Sequence, residues 1–181
     1  MSKKWKKEQK KREKKSRKER AKQGYASSDV WDIQYWFMDI MPRMICDMKK
    51  GMVGCPASLC EDGNDGHAAW ELILDRMIFL LREMNEETCS QKNEFEEQWW
   101  KNYCEFEKKY GLFGEKLRTK EEKAKDKKTH CRTAHFPREL PEYKETAEKH
   151  SKREEDLAAY RDKCKDEFFE LFSKYFWDLW D

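Results

Sequence analysis

Apolar residues in this chain recur at steps of three and four in several separate stretches, and that period limits the fold more than any other feature. In the first stretch Val30, Ile33, Phe37, Ile40, Met44 and Met48 form a stripe that Trp36, Met41 and Ile45 widen. Ser27 or Ser28 is placed to cap this helix, with Asp29 and Asp32 in its first turn. Pro42 lies inside the pattern and predicts a kink or a division near Ile40–Met41. After Gly51, residues 51–66 read as a loop. A second stripe follows: Trp70, Ile73, Leu74, Met77, Ile78, Leu81 and Met84. A third helix is predicted from about Ser90 to Tyr110 on Phe95, Trp99, Tyr103, Phe106 and Tyr110, with Gly111 and Gly114 interrupting it.

Residues 115–128 have helix-forming composition but little apolar face beyond Leu117, which predicts a solvent-exposed segment. Two prolines in 129–141 break it. The last helix is predicted from Glu142 to Trp177, near a 3.5-residue period. Its end, FFELFSKYFWDLW, is too apolar on all sides for a surface helix. It is expected at the centre of the core, or half in the core and half in an interface.

With 38% hydrophobic and 42% charged residues among 181, a thick α/β core is excluded, and long helices with one apolar stripe fit. Eight Trp, ten Phe and seven Tyr supply large burying groups. Seven Gly and four Pro are too few for the tight turns of a β-sandwich. The expected class is all-α, an elongated bundle of about four long amphipathic helices. Residues 1–24 form a basic arm, disordered or helical on binding; 25–181 form one helical domain with a charged excursion around 111–141.

Charge is unevenly placed. Residues 1–23 carry thirteen Lys/Arg and three Glu, so +10; the formal total is +2, which leaves −8 for the rest. Lys3, Lys4, Lys6, Lys7, Lys10, Lys11, Arg12, Lys14, Lys15, Arg17, Lys18 and Arg20 are the candidate contacts to nucleic acid or an acidic surface. Such a run also serves as a solubilising tail, and composition alone does not separate the two. Trp5 is its one large apolar group. Trp99 and Trp100 point about 100° apart on a helix, so that one can face the core while the other points outward, unless neighbouring helices cover both; with Trp5 they are the candidate partner-binding residues.

The seven cysteines are odd in number and irregular in spacing. The basic N-terminus lacks an apolar h-region, and no run of 18 apolar residues exists, so free thiols in a reducing compartment are expected. Cys46, Cys55, Cys60 and His67 flank one loop, and His130, Cys131 and His135 gather in another. Structural zinc sites show paired C-x₂₋₄-C knuckles; Cys55 and Cys60 are separated by four residues, but no second pair answers them, and no metal site is assigned. No His has Glu three residues before it, and the chain contains no H-E-x-x-H, phosphate-binding loop or G-x-S-x-G. No catalytic residue and no cofactor is expected.

The runs YASSDVWDIQYWFMDIMPRMICDMKKGMVGCPASL, AAWELILDRMIFLLREMNEETCS, EFEKKYGLFGEKL and YRDKCKDEFFELFSKYFWDLWD cover much of the chain after Gly24. In them the chain resembles a widespread family of phage and prophage proteins from gut Firmicutes. The resemblance extends to a type II-A anti-CRISPR inhibitor. It implies a protein that binds a type II CRISPR effector nuclease with its guide RNA, in the cytoplasm of the infected bacterial host. It carries no motif residue over to this chain. The competing expectation is a phage accessory protein that binds DNA or RNA through the basic arm. An enzyme with an unrecognised Cys/His or carboxylate site ranks below both.

Overall fold

A computed structural model describes residues 3–60 and 65–180, and among them every regular element is helical. The described residues form six α-helices, where the periodicity predicts about four: α1 Lys3–Gln23, α2 Ile33–Gly51, α3 Gly66–Glu83, α4 Glu96–Tyr110, α5 Lys120–Thr129 and α6 Pro141–Lys174. The two additional helices are the basic arm and the charged excursion, which bury no residue. The middle of the loop expected at 51–66, residues 61–64, lies outside the described residues. By compactness the chain falls into two units. The first contains residues 1–89 and 163–181, and the second residues 90–162.

In the first unit α2, α3 and the end of α6 bury their apolar faces. Phe37 of α2 meets Phe168 at 5.9 Å between ring centroids, Phe169 at 6.1 Å and Phe172 at 6.4 Å. Trp70 of α3 packs on Tyr175 at 5.2 Å, and Leu74, Met77, Leu80 and Leu81 fill the same core. Two ion pairs flank this packing: Arg76 donates to both carboxylate oxygens of Glu167 at 2.6 Å, and Lys49 Nζ lies 2.7 Å from Asp75.

Pro42 does not divide α2, which runs unbroken from Ile33 to Gly51 with the buried proline inside it. Its ring removes one donor, the N–H that would bond the Met38 carbonyl. The helix also starts later than its serines suggest. Asp29 bonds back to Arg20 and to the Ala26 amide, residues 26–32 form turns, and the helix starts after Asp32, which makes no side-chain cap bond.

In the second unit Phe106, Pro137, Tyr143, Ala147 and Leu157 are buried. Phe106 meets Tyr143 edge-on at 6.2 Å. α4 begins at Glu96 and not at Ser90, because Asn93 turns the chain just before it. Its side-chain oxygen accepts from the Phe95 amide at 3.0 Å, and its amide nitrogen donates to the His150 carbonyl at 3.1 Å and to Glu154 at 2.7 Å. Gly111, at φ 82, closes α4 in a conformation that favours glycine. α5 opens with a capping box: the Glu122 amide donates to Thr119 Oγ1, and the Thr119 amide donates to the Glu122 carboxylate.

The two faces of α3 give a stability test. Leu74→Ala empties a fully buried site (0% exposed) and is expected to cost about 2–5 kcal/mol. Leu72→Ala, on the exposed face (71%), should stay within about 0.5 kcal/mol. Urea denaturation of both variants checks the pair.

Candidate functional site

The strongest concentration of one charge lies on α1. At 3.6 residues per turn, about 100° each, all of its basic residues except Arg12 and Arg20 fall on one half of the circumference. These are eleven of thirteen. Glu8, Gln9, Glu13, Ser16 and Glu19 fall on the other half. Gln9, Ser16 and Glu19 are also the residues of α1 that are not fully exposed. The basic half is exposed throughout, the other half is partly covered only at those three positions, and the arm is segregated by charge where it has no apolar stripe.

The orientation is anchored at the C-terminal end of α1. Arg20 forks onto Asp29, with Nε donating to Oδ2 at 2.9 Å and Nη2 to Oδ1 at 2.6 Å. The Ser27 amide donates to Glu19 at 2.9 Å, and Gln23 donates to the Tyr25 carbonyl. Gly24, at φ 83, returns its amide to the Arg20 carbonyl. Among the predicted phosphate contacts Arg20 is thus committed to a carboxylate, and Lys15 pairs with Glu19 at 3.5 Å. Lys3, Lys4, Lys6, Lys7, Lys10, Lys11, Lys14, Arg17 and Lys18 present their side chains on the exposed basic half, and Arg12 is exposed on the opposite half. Over 21 residues the basic face extends about 30 Å, long enough to follow several phosphates of a nucleic-acid strand.

The predicted aromatic anchors divide. Trp100 is exposed (55%) and stacks on Tyr103 at 5.7 Å. Trp99 is half-buried, with its indole stacked on the His150 imidazole at 4.6 Å. Trp5 is partly exposed on the polar half of α1. Periodicity misses the largest exposed rings, Trp31 (87%) and Trp177 (83%). They lie in a turn and in the short 3₁₀ segment Phe176–Asp178, where helical spacing says nothing about direction. Exposure of Phe169, Phe176, Trp177 and Trp180, with Phe168 and Tyr175 buried, makes the C-terminal end half core and half surface.

In the second unit a cavity of about 450 Å³ is walled by Trp99, Tyr103, Phe136 and Pro137, with His150 and Glu154 on its polar side. His150 Nε2 lies 2.6 Å from Glu96 Oε2, and Glu154 accepts from Asn93. Among the described residues, Glu96, His150 and Glu154 form the one group of three whose donor atoms lie within 4.8 Å of one another. The imidazole and the two carboxylates each have a protein partner, which accounts for their convergence.

The two Cys/His groups flagged by sequence do not gather in this way. Cys55 and Cys60 approach closely, while His67 Nε2 faces the Val53 carbonyl at 3.2 Å and Cys46 is half-buried on α2. His130 is exposed at the left-handed end of α5 (φ 56), and Cys131 is exposed beside it. His135 stands between two carboxylates, Nδ1 at 2.6 Å from Glu139 and Nε2 at 3.3 Å from Glu122. Hydrogen bonding to Glu139, then to Glu122, raises its pKa above the ordinary value. Its role is to tie α5 to the segment that follows. Comparison with protein-family models, curated proteins and solved structures gives no match.

The clasp below α1 makes a pH prediction. Arg20 and the Ala26 amide lower the Asp29 pKa from 3.8 to about 2. A depressed carboxylate stabilises fully above its unfolded value, and that contribution is lost as pH falls from 3.8 toward 2. In a carbon-13 NMR titration the Asp29 carboxyl should titrate near 2. Asp29→Asn should show faster amide exchange at Ala26 and in the last turn of α1 already at neutral pH.

Proposed function

We propose that this chain is a phage counter-defence protein. It binds a type II RNA-guided DNA nuclease carrying its guide RNA, in the host cytoplasm, and blocks target DNA recognition or cleavage. The observation that supports this reading is the one-sided basic face of α1, anchored through Arg20 and turned to solvent. Clustered Lys and Arg engage phosphate through counterion release without demanding a sequence. Exposed indoles at Trp31, Trp100 and Trp177 suit contacts to the protein surface of the same assembly. The choice of an RNA-guided nuclease rests on the family resemblance in the runs quoted above. No described helix is long and apolar enough to cross a membrane.

The same basic face also favours a second reading, an accessory protein that binds free nucleic acid. The two readings differ in what α1 is needed for. An inhibitor should co-elute with the nuclease–guide assembly and stop target cleavage at stoichiometric amounts. Removing residues 3–23 should weaken inhibition at least tenfold and leave part of it. An accessory protein should bind bare duplex and lose that binding entirely with α1. If α1 engages about six phosphates of bare duplex, log K should fall with log salt at a slope of about −5. Absence of a complex with the nuclease, with cleavage unaffected at excess protein, rejects the inhibitor.

A further inference from the structure

The loop between α2 and α3 brings two sulfur atoms together. Cys55 Sγ and Cys60 Sγ lie 3.1 Å apart, about 1 Å longer than a disulfide bond. Local structure sets this approach. Buried Pro56 starts a short 3₁₀ turn at Ala57–Leu59, in which the Leu59 amide donates to the Pro56 carbonyl at 2.9 Å and the Cys60 amide to the Ala57 carbonyl at 3.1 Å. The turn folds the second cysteine back over the first.

Gly66, the buried first residue of α3, faces both sulfurs from the other side. A Cβ built on it would stand 2.8 Å from Cys55 Sγ and 2.8 Å from Cys60 Sγ. Such distances are closer than any side chain tolerates, so the absence of a side chain at 66 makes room for the pair.

We infer that Cys55 and Cys60 are a modification site: a dithiol that hydrogen peroxide oxidises to an intrachain disulfide. Cys60 is exposed and meets the oxidant first. Its thiolate attacks the peroxide oxygen, giving a sulfenic acid and one water. Cys55 then attacks the Cys60 sulfur and forms the S–S bond as the hydroxyl leaves, with a proton, as a second water. Two electrons pass from the sulfurs to the peroxide, and a dithiol reductant reverses the change. Cys55 suits the resolving role, because it is the less exposed of the two and its sulfur already lies 3.1 Å from the one it must attack. A metal reading is weaker, since zinc takes four ligands and no His, Asp or Glu among the described residues joins the two sulfurs in a cluster of three.

The test uses the full chain. After stoichiometric hydrogen peroxide at neutral pH, free thiols are blocked with iodoacetamide and the protein is digested with trypsin. Cys55 and Cys60 then fall in one peptide, residues 51–76. That peptide should lose two hydrogens and take up no label until dithiothreitol is added, while Cys131 follows single-thiol chemistry. Cys60→Ser should abolish the linked form. Gly66→Ala, with its helix content verified by circular dichroism, should slow linkage about tenfold or more by pushing the sulfurs apart. Separately labelled Cys55 and Cys60 after oxidation would overturn the proposal. So would equal linkage rates in the wild type and Gly66→Ala.

Discussion

Phe37 meets three rings of α6, and the first unit depends on that meeting. The partners lie more than 130 positions apart in the chain, so their contact closes a very long loop at an entropic cost that large apolar areas must offset. Aromatic rings meet that demand in a chain with few aliphatic residues, because each buries about 150–250 Å². Once Phe168 is buried beside Phe37, Tyr175 is in place to cover Trp70, and Glu167 to receive Arg76. The second unit uses the same device on a smaller scale, with Phe106 against Tyr143.

Elements that bury nothing are held differently. α1 and α5 have no buried residue, and each is tied down by a compact set of polar bonds. Below α1 these are the Arg20–Asp29 fork and the Glu19–Ser27 bond. Around α5 they are Arg118 and Thr133 on Asp126, and His135 on Glu122 and Glu139. Exposed ion pairs contribute little individually. Bidentate geometry and charged acceptors for backbone amides raise that contribution. Such anchoring fixes direction without covering surface, which leaves the Lys-rich half of α1 uncovered.

Periodicity in the sequence carries most of the fold. The stripe from Trp70 to Leu81 is the buried face of α3, with Ile73 half-buried at its edge. The aromatic spacing from Trp99 to Tyr110 lies within α4. Helix starts are poorly legible, because Asp29 and Asn93 bond to groups that tertiary structure brings to them. The division into two units is not legible either, since one continuous helix, α6, supplies residues to both. For the candidate site, the basic residues of α1 are plain in the sequence, and the structure adds that the partly covered residues Gln9, Ser16 and Glu19 lie on the half opposite them. The approach of Cys55 to Cys60 was hidden for another reason: it depends on Gly66, a residue with no side chain to signal a contact.

Charge separation within the chain bears on the kind of partner. A tail that only aids solubility needs net charge and has no need of an ordered face. Here the charges of α1 are ordered, and they sit on a chain whose remainder carries −8. A polyanion is attracted to that ordered basic face. Because screening confines these fields to about 8 Å at physiological salt, the attraction acts at close approach, where the order of the charges on α1 counts for more than the net charge of the chain.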